Sequence, residues 1–374
     1  MTALSQNPSE AMGQDNAGGR PSSIQVFACP VSAKSKYLRL LSAGSQGRYH
    51  FEAGPAALLD RSARWPDHSL LHIHWEEFLF KGCANVAEAE MAVEHFSRKI
   101  KAYRATGRRL LVTIHNRYPH VIPFRVCFLN ARAFLLREAD AIIVHNEASA
   151  VAIREMFGVA VENIHKVPHP SSVGIYERDA DVLAQLEQGP DPELLIFGRI
   201  RRQKGIARAL TVLTSGFLAS QGLTLNILGQ GEDASSLQIE FADRRDVLWK
   251  LGHVPDLDAL QHIRRATCCI LAYEQFLTSG VAHLILSAGG IYVAPRESQH
   301  LELLPAINHR FLFRPDDDND FKRAVREVRA LSHDDRRACC MANYRRAQQL
   351  APSNIGHRLA NIYEALLQTT LRTH

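Results

Sequence analysis

The stretch LLIFGRIRRQKGIARAL (194–210) carries the pattern that decides the fold. Its apolar start, LLIF, predicts a buried β-strand, and its apolar end, from Ile206 onward, predicts the beginning of a helix. Between the two lie a pair of glycines and four cations: Gly198, Arg199, Arg201, Arg202, Lys204 and Gly205. A buried strand that turns through glycine into a helix is the repeating unit of α/β proteins, so this stretch predicts that class.

The same alternation of strand and helix runs along most of the chain. Short apolar runs without an in-and-out pattern are typical of parallel strands covered on both faces. They occur at 24–28, 71–74, 110–115, 141–145, 194–197, 223–228, 247–251, 268–273 and 291–294. Helix-sized segments lie between or after them, at 86–106, 123–138, 147–157, 206–220, 256–265, 281–288 and 319–330. The pattern predicts doubly wound, parallel α/β sheets.

The alternation pauses once, at the polar segment AQLEQGPDPE (184–193). Because 374 residues exceed the length at which one core usually keeps growing, we expect two Rossmann-like domains that face each other across a central cleft. The predicted division is a polar, disordered tail (1–22), an N-terminal acceptor-binding domain (23–183), the linker (184–193), a C-terminal nucleotide-binding domain (194–350) and a final helix that packs back on the N-terminal domain (351–374).

Composition narrows the possible classes of function. The chain is 46% hydrophobic and 22% charged, with a formal net charge of +5, which is too modest for a dedicated nucleic-acid binder. Its seven cysteines include no CxxC pair, so a reduced, cytoplasmic protein without disulfides is expected. Residues 1–23 lack the apolar core of a signal peptide, and no apolar run reaches the ~20 residues that span a bilayer.

In open parallel sheets, ligands bind beyond the carboxyl ends of the strands, so the residues that follow each strand are candidates for the site. In the C-terminal half, the basic loop after LLIF and the segment TSG (278–280), which opens a helix, both follow strands. Arg and Lys side chains grip phosphate oxygens, and the free amides of a helix N-terminus favour an anion. Together they predict a diphosphate site. A solvated basic loop and an ordinary capped helix are the alternatives.

In the N-terminal half, the strand ends are rich in imidazole, amide and carboxylate groups. They lie in LLHIHWEEF, TIHNRYPH and IIVHN, and comprise His74, Trp75, Glu76, Glu77, His115, Asn116, His120, His145 and Asn146. These are the side chains that bind sugar hydroxyls and transfer protons near neutral pH. A zinc site is the competing interpretation, but no HExxH motif or Cys/His spacing supports it, so no metal is expected.

Four blocks of the sequence resemble bacterial exopolysaccharide glycosyltransferases of the GT-B fold: LLHIHWEEF, TIHNRYPH, FGRIRRQKG and AYEQFLTSGVAHLILSAGGIYVAP. Within that group the resemblance is to the xanthan-type β-mannosyltransferases, which use GDP-mannose and extend a polyprenyl-diphosphate-linked oligosaccharide. The resemblance therefore implies transfer of a hexose, mannose first, from a nucleotide-diphospho-sugar to a lipid-linked acceptor in exopolysaccharide biosynthesis, without a metal or cofactor.

At matching positions the resemblance implies roles for particular residues. The donor diphosphate would be held by Arg199, Lys204, Thr278, Ser279 and Gly280. The sugar or acceptor would be lined by His74, Trp75, Asn116, His120 and Tyr273. Glu77 and His115 are the candidates for the base that takes the acceptor's proton, and Glu77 is preferred because a carboxylate beside Trp75 is open to desolvation.

A lipid-linked acceptor requires access to a membrane surface. The segment SRKIKAYRATGRRL (97–110) predicts a helix with six cations at an anionic leaflet: Arg98, Lys99, Lys101, Arg104, Arg108 and Arg109. Ile100 and Tyr103 would enter the interface. A solvated helix face is the alternative. We expect a cytoplasmic protein peripheral to the inner face of the cell membrane.

Other functions stay open at this point. In one alternative, the sugar donor is UDP-glucose or UDP-glucuronate instead of GDP-mannose. In another, the chain is a catalytically inactive nucleotide-binding scaffold, because two glutamates found in many retaining relatives are Phe276 and Leu284 here. A sugar-nucleotide epimerase built on the same two-domain plan would act on the donor alone.

Overall fold

The computed structural model describes residues 23–118, 124–273 and 277–371 and contains two parallel sheets of six strands each. The N-terminal sheet has the order β2-β1-β3-β4-β5-β6 and is built from β1 Ile24–Cys29, β2 Tyr49–Ala53, β3 Ser69–His74, β4 Arg109–Thr113, β5 Ala141–Val144 and β6 Ile164–Lys166. The C-terminal sheet has the order β12-β11-β10-β7-β8-β9 and is built from β7 Asp191–Arg199, β8 Thr224–Gln230, β9 Val247–Leu251, β10 Ala266–Ile270, β11 Tyr292–Pro295 and β12 Leu312–Phe313. The predicted α/β architecture with two sheets is confirmed.

All nine predicted strands are present, and three further strands were not predicted. The first, β2, is an edge strand whose residues are mostly in contact with solvent, so it lacks a continuous apolar run. The other two, β6 and β12, have only three and two residues and are too short to give a pattern. Strand β7 is longer than predicted, because it begins at Asp191, inside the predicted linker, and ends at Arg199.

Helices cover both faces of each sheet. In the N-terminal half they are α1 Lys36–Ala43, α2 Val86–Arg104, α3 Arg125–Glu138 and α4 Glu147–Phe157. Helix α5 Asp179–Gln185 packs on the C-terminal domain, because its buried Val182 belongs to that domain's apolar core. In the C-terminal half they are α6 Ile206–Val212, α7 Ser215–Ser220, α8 Ala234–Glu240, α9 Asp256–Arg265, α10 Gly280–Ser287, α11 Ser298–Leu303, α12 Asp318–Arg329, α13 His333–Gln349 and α14 Pro352–Leu371. The single helix predicted at 206–220 is two helices, because the Thr214 hydroxyl accepts a hydrogen bond from Phe217 N and caps a new one.

The last helix, α14, lies against the N-terminal sheet although it follows the C-terminal domain in sequence. Its buried Ile355, Leu359 and Tyr363 belong to the apolar cluster that covers one face of β1, β3 and β4. Polar contacts strengthen the packing, since the Arg48 guanidinium donates to Glu364 at 2.9 Å and to Asn361 at 2.7 Å.

The helix that was predicted to touch a membrane is part of the N-terminal core. Ile100 and Tyr103 are 0% and 1% exposed, so the prediction that they enter a lipid interface is wrong. Most of the cations predicted to face lipid are instead engaged within the protein: Lys99 pairs with Asp60, Arg104 and Arg109 with Asp140, and Arg108 with the carbonyls of Ser62 and Trp65. Among the helices of the described residues, none has the length and apolar character that a bilayer crossing requires.

Two glycines shape the basic loop between β7 and α6. Gly198 has φ of 114° and Gly205 has φ of 66°, both in the region that side chains avoid. A Cβ on Gly205 would lie 1.8 Å from the Ala272 carbonyl oxygen, and a Cβ on Gly198 would lie 3.0 Å from the Val281 side chain. The loop therefore passes in close contact with the end of β10 and the first turn of α10.

Candidate functional site

The carboxyl ends of the two sheets face each other across a cleft. The ammonium of Lys36, in the first turn of α1, lies 2.6 Å from Asp256 in the first turn of α9. Asn146, which follows β5, donates from Nδ2 to the Leu277 carbonyl at 2.6 Å. Leu277 itself packs into the apolar core of the N-terminal domain. The residues that follow the strands of both sheets therefore meet in one place, as the strand-end rule predicts.

Within the basic loop, Lys204 contacts Tyr273, whose hydroxyl lies beside the N-cap of α10. Its ammonium lies 3.8 Å from the centre of the Tyr273 ring, directly after β10. The Tyr273 hydroxyl lies 3.4 Å from Oγ of Ser279, the N-cap of α10. Among the residues that the structure describes, no carboxylate pairs with Lys204. The contacts thus bring this cation and the helix start, predicted separately from the sequence, into one neighbourhood.

The other three cations of the loop are paired with carboxylates. Arg199 and Arg201 both pair with Glu232, the former at 3.3 Å, and Arg202 pairs with Glu240 at 2.7 Å. The Arg199 side chain is 64% exposed and borders a groove that is lined by Phe197, Gly198, Arg199, Gly229, Gln230, Gly252, His253 and Val254. Arg199 is therefore at the same sheet edge as Lys204, but its guanidinium is turned toward Glu232.

The start of α10 presents backbone amides to the cleft. Gly280 is exposed, and the first amides of a helix have no partner within it. Ser279 is buried and its hydroxyl accepts from Ala282 N at 3.2 Å, so this side chain shapes the helix end instead of reaching outward. Thr278 is partly exposed and its hydroxyl lies 3.4 Å from Asn146 Nδ2. The amides, together with Lys204, are the groups that an anion would meet.

Five imidazoles form a continuous row that begins in the N-terminal domain and ends in the C-terminal domain: His74, His115, His145, His169 and His283. His74 is the last residue of β3, the next three follow β4, β5 and β6, and His283 lies on α10. Successive ring centres are 5.3, 5.3, 5.7 and 4.8 Å apart. Tyr37, in the first turn of α1, contacts the first four rings. We call this set the imidazole row.

Hydrogen bonds determine which nitrogens of the row carry protons. His145 Nδ1 lies 2.9 Å from the Val167 carbonyl, which only accepts, so this nitrogen donates and His145 Nε2 is an acceptor. His115 Nδ1, 3.4 Å from that acceptor, is then the donor, and His115 Nε2 accepts from His74 Nδ1 at 3.0 Å. This series of hydrogen bonds ends at His74 Nε2, which is buried and has no partner among the described residues.

The row is buried and electrically neutral near pH 7. Burial, followed by the neighbouring imidazoles, lowers the pKa of His115 and His169 well below its usual value, and burial lowers the pKa of His145 to about 4. His74 is completely buried, so it does not line the cleft as the sequence analysis predicted. Both nitrogens of His115 are used within the row, which leaves neither for an acceptor hydroxyl.

The carboxylates that follow β3 have different surroundings. Glu76 is buried and forms an ion pair with Arg132 of α3, whose Nη1 also donates to the carbonyls of Asn116 and Arg117 at 2.8 and 2.7 Å. Glu77 is partly exposed and its carboxylate is hydrogen-bonded by the Asn116 side chain. Desolvation and the adjacent Glu76 raise the pKa of Glu77 to about 7. This carboxylate is therefore suited to accept a proton near neutral pH.

Trp75 joins the carboxylates to the imidazole row. Its backbone is left-handed, with φ of 46° and ψ of 58°, a conformation that costs free energy for a bulky residue. The indole stacks on His115 with ring centres 4.0 Å apart and planes within 10°. Surrounding contacts must maintain such a strained backbone, and strain of this kind is typical of functional positions.

Several residues at the site were not singled out from the sequence. Tyr37, Arg132, His169 and His283 lie in or against the imidazole row and the carboxylates, and Lys36 bridges the cleft. His120, predicted to bind sugar or acceptor, lies outside the described residues. Within the described ranges, the side chains form no group of three or more ligands arranged to hold a metal ion.

Comparisons with known proteins identify the fold. No family model matches the sequence. A stretch of 163 residues is 28% identical to glycogen synthase of Mycobacterium tuberculosis and covers 42% of this chain but only 37% of that protein. The chain thus spans little more than a third of these relatives.

Three solved structures match over nearly the whole chain. The Anabaena protein HepE, in complex with UDP and glucose, has a TM-score of 0.61 at 13% identity over 92% of this chain and 100% of its own. Sucrose-phosphate synthase from Thermosynechococcus elongatus has a TM-score of 0.64 at 16% identity over 93% and 100%. The E. coli trehalose-6-phosphate structure bound with UDP-2-fluoro glucose has a TM-score of 0.67 at 10% identity over 92% and 99%. The chain has the GT-B fold. The predicted fold class is confirmed.

Proposed function

We propose that this chain is a glycosyltransferase that moves a hexose from a nucleotide-diphospho-sugar to a hydroxyl acceptor. The observation that carries the proposal is the series of contacts that joins Lys204, through the Tyr273 ring, to Ser279 at the start of α10. A cation and free helix amides stabilise a departing diphosphate, and a carboxylate with a pKa raised to about 7 accepts the proton of the attacking hydroxyl.

On the donor side, the diphosphate is held by Lys204 and by the first amides of α10, near Gly280. Thr278 adds a hydroxyl at the same helix end, and Ser279 shapes it as the cap. Arg199 contributes once its guanidinium leaves Glu232 for the more highly charged diphosphate. The groove beside Arg199 is the proposed site of the nucleoside.

On the acceptor side, Glu77 is the base and His115 is not. Glu77 is partly exposed, whereas both nitrogens of His115 are hydrogen-bonded within the imidazole row. Asn116 orients the Glu77 carboxylate, and Trp75, whose indole stacks on His115, precedes Glu77 by two residues. Trp75 and Asn116 are the groups proposed to contact the sugar or the acceptor.

The proposed acceptor is a polyprenyl-diphosphate-linked oligosaccharide, as the resemblance to exopolysaccharide glycosyltransferases implies. Exposed apolar side chains on the segment that carries Glu77 and on the two helices packed against it support an approach to lipid: Phe78, Met91 and Val126 are 48%, 60% and 70% exposed. The elements that carry them, residues 76–80, α2 and α3, pack against one another. This apolar surface replaces the basic face of α2 as the proposed membrane contact.

Binding to anionic vesicles tests the membrane part of the proposal separately. Replacing both Phe78 and Val126 by Ser is expected to reduce co-sedimentation with vesicles that contain phosphatidylglycerol. Replacing Ile239, which is 76% exposed on α8 of the other domain, is the matched control and should leave binding unchanged. If the variant with Phe78 and Val126 replaced binds the vesicles as strongly as the Ile239 variant, the proposed membrane contact is wrong.

A panel of nucleotide sugars tests the donor. The resemblance favours GDP-mannose, whereas HepE and the E. coli structure hold UDP or a UDP-sugar, so GDP-mannose, UDP-glucose and UDP-glucuronate are all included. A ligand that binds only the native state raises the melting temperature, and this shift identifies the base and the sugar. If no nucleotide sugar or nucleoside diphosphate raises it, the proposed function is wrong.

Two other functions give different results with the same donor. An inactive scaffold binds the donor but releases no nucleoside diphosphate with any acceptor or with water. An epimerase converts the donor to a second nucleotide sugar when no acceptor is present. A transferase releases nucleoside diphosphate faster when a hydroxyl acceptor is added.

A further inference from the structure

His169 lies at the junction of the two domains, directly after β6. Its ring centre is 5.1 Å from that of Tyr37, 5.7 Å from that of His145 and 4.8 Å from that of His283. Tyr37 and His145 belong to the N-terminal domain and His283 to the C-terminal domain. Rings on three sides fix the orientation of this imidazole, so its free nitrogen points in a defined direction.

The protonation of His169 follows from one hydrogen bond. Nδ1 lies 2.8 Å from the carbonyl oxygen of Pro170, the next residue. A carbonyl only accepts, so Nδ1 carries the proton and Nε2 carries a lone pair. Burial, followed by His283 and His145, lowers the pKa of His169 and keeps the ring neutral near pH 7. His169 therefore offers a hydrogen-bond acceptor, not a cation.

The lone pair lies next to the start of α10. The position that a Cβ atom on Gly280 would occupy is 3.8 Å from His169 Nε2. Gly280 is the first residue of α10, where the amides are proposed to bind the donor diphosphate. A neutral acceptor repels phosphate oxygens but receives a hydrogen bond from a hydroxyl. In a nucleotide sugar, the hydroxyl-bearing groups nearest to the diphosphate are the transferred hexose on one side and the ribose on the other.

We propose that His169 Nε2 accepts a hydrogen bond from a hydroxyl of the transferred hexose and thereby selects the sugar. The inference rests on the proposed function and makes it more specific. The hexose is assigned instead of the ribose because His169 belongs to the N-terminal domain, on the side of Glu77 and the acceptor, whereas the groove for the nucleoside lies in the C-terminal domain. A donor that lacks this hydroxyl leaves the acceptor nitrogen without a partner, which disfavours it.

A panel of monodeoxy donors, made from whichever nucleotide sugar binds, tests the assignment. For one monodeoxy donor, the kcat/KM of the wild type is expected to be on the order of tenfold to a hundredfold lower than for the parent donor.

His169→Phe keeps a ring of similar size without the nitrogen, so it should process the parent and that deoxy donor about equally. Its affinity for the free nucleoside diphosphate should match the wild type, which also shows that the variant is folded. His169→Asn, which retains an acceptor oxygen, should recover part of the preference. His165→Phe, a change within β6 itself, is the matched control and should keep the wild-type preference.

The outcomes separate this inference from the proposed function. A wild type that binds no nucleoside diphosphate overturns the proposed function and, with it, the role of His169. A wild type that binds and turns over the donor but treats every monodeoxy donor within about twofold of the parent overturns only the role of His169. If His169→Phe retains the wild-type preference, the role of His169 is also overturned. The panel of donors with the wild type tests this role even if the Phe variant does not fold.

Discussion

The ammonium of Lys204 lies 3.8 Å from the centre of the Tyr273 ring, and this contact joins the basic loop after β7 to the end of β10. Since Tyr273 also lies 3.4 Å from the Ser279 hydroxyl, the aromatic ring is the physical link between the cation and the start of α10. A cation over an aromatic face is held in place without being neutralised by a carboxylate. Lys204 therefore keeps its charge available for an anionic ligand.

Replacement of Tyr273 tests whether the ring positions the cation. Tyr273→Leu is expected to weaken nucleoside diphosphate binding roughly fivefold, because a cation–π contact contributes about 1 kcal/mol. Tyr273→Phe keeps the aromatic face and should bind within about twofold of the wild type. Titration calorimetry measures both. Equal affinity of the Leu variant and the wild type would mean that the ring does not position Lys204.

Replacement of Glu77 tests the proposed base. Glu77→Gln is expected to lower kcat by roughly 10²–10⁴-fold while donor affinity stays unchanged, because the amide cannot accept the proton. In the wild type the pKa of Glu77 is about 7, so kcat should rise with pH through neutrality, and this rise should be absent in the variant. His115→Phe is the comparison: it should keep the rise. Full turnover by Glu77→Gln would exclude it as the base.

The imidazole row makes stability depend on pH below neutrality. Burial lowers the pKa of His145 to about 4 and that of His72, which stacks on His74, to about 3. The unfolded chain therefore takes up protons first as the pH falls below about 6.5, and each such histidine costs about 1.4 kcal/mol of stability per pH unit. Glu77 acts in the opposite direction, since its raised pKa favours the folded state as the pH falls from about 7.

Urea unfolding at pH 7.5 and 5.5 measures this dependence. We expect the free energy of unfolding to be several kcal/mol lower at pH 5.5, because the histidines outnumber Glu77. His145→Gln removes one titrating group and should make the dependence shallower by about 1.4 kcal/mol per pH unit, whatever its absolute stability. A free energy of unfolding that is the same at both pH values would contradict the buried, neutral row.

The buried ion pair of Glu76 and Arg132 predicts strong coupling between the two side chains. Removing either one leaves a buried charge without a partner, so Glu76→Leu and Arg132→Met are each expected to destabilise the protein by about 3–5 kcal/mol. The double variant should cost less than the sum of the two. Asp181→Ala breaks the exposed pair with Arg178 and should have no measurable effect. Additive losses in urea unfolding would show that the buried pair is not coupled.

Much of the fold was predictable because buried parallel strands have continuous apolar sequences. Strands such as β3 and β8 are predicted for this reason, and the residues after them lie at the carboxyl edges of the two sheets. Strand β6 has only three residues and gives no such pattern. The sequence therefore does not predict His169 as a residue at a strand end, although a proline lies on each side of it.

Contacts between distant residues left no local signal in the sequence. Arg132 lies 56 residues from Glu76, and a cation on a helix predicts a solvated face unless the partner is known. The same applies to the cations of α2, whose partners Asp60 and Asp140 lie on other elements. Tyr37 contacts four histidines that come from four separate strand ends. Clusters of charged residues in the sequence therefore indicated the candidate site, but tertiary contacts decide which cations are available to bind a ligand.

The most direct test is the affinity of a nucleoside diphosphate for Lys204→Ala, measured by titration calorimetry with Arg202→Ala as the control. Both residues are cations of the same loop, but Arg202 pairs with Glu240, whereas Lys204 lies over the Tyr273 ring. We expect Lys204→Ala to bind about tenfold to a hundredfold more weakly, as the loss of a charge-assisted hydrogen bond predicts, and Arg202→Ala to bind like the wild type. Wild-type affinity in Lys204→Ala would contradict the proposed diphosphate site.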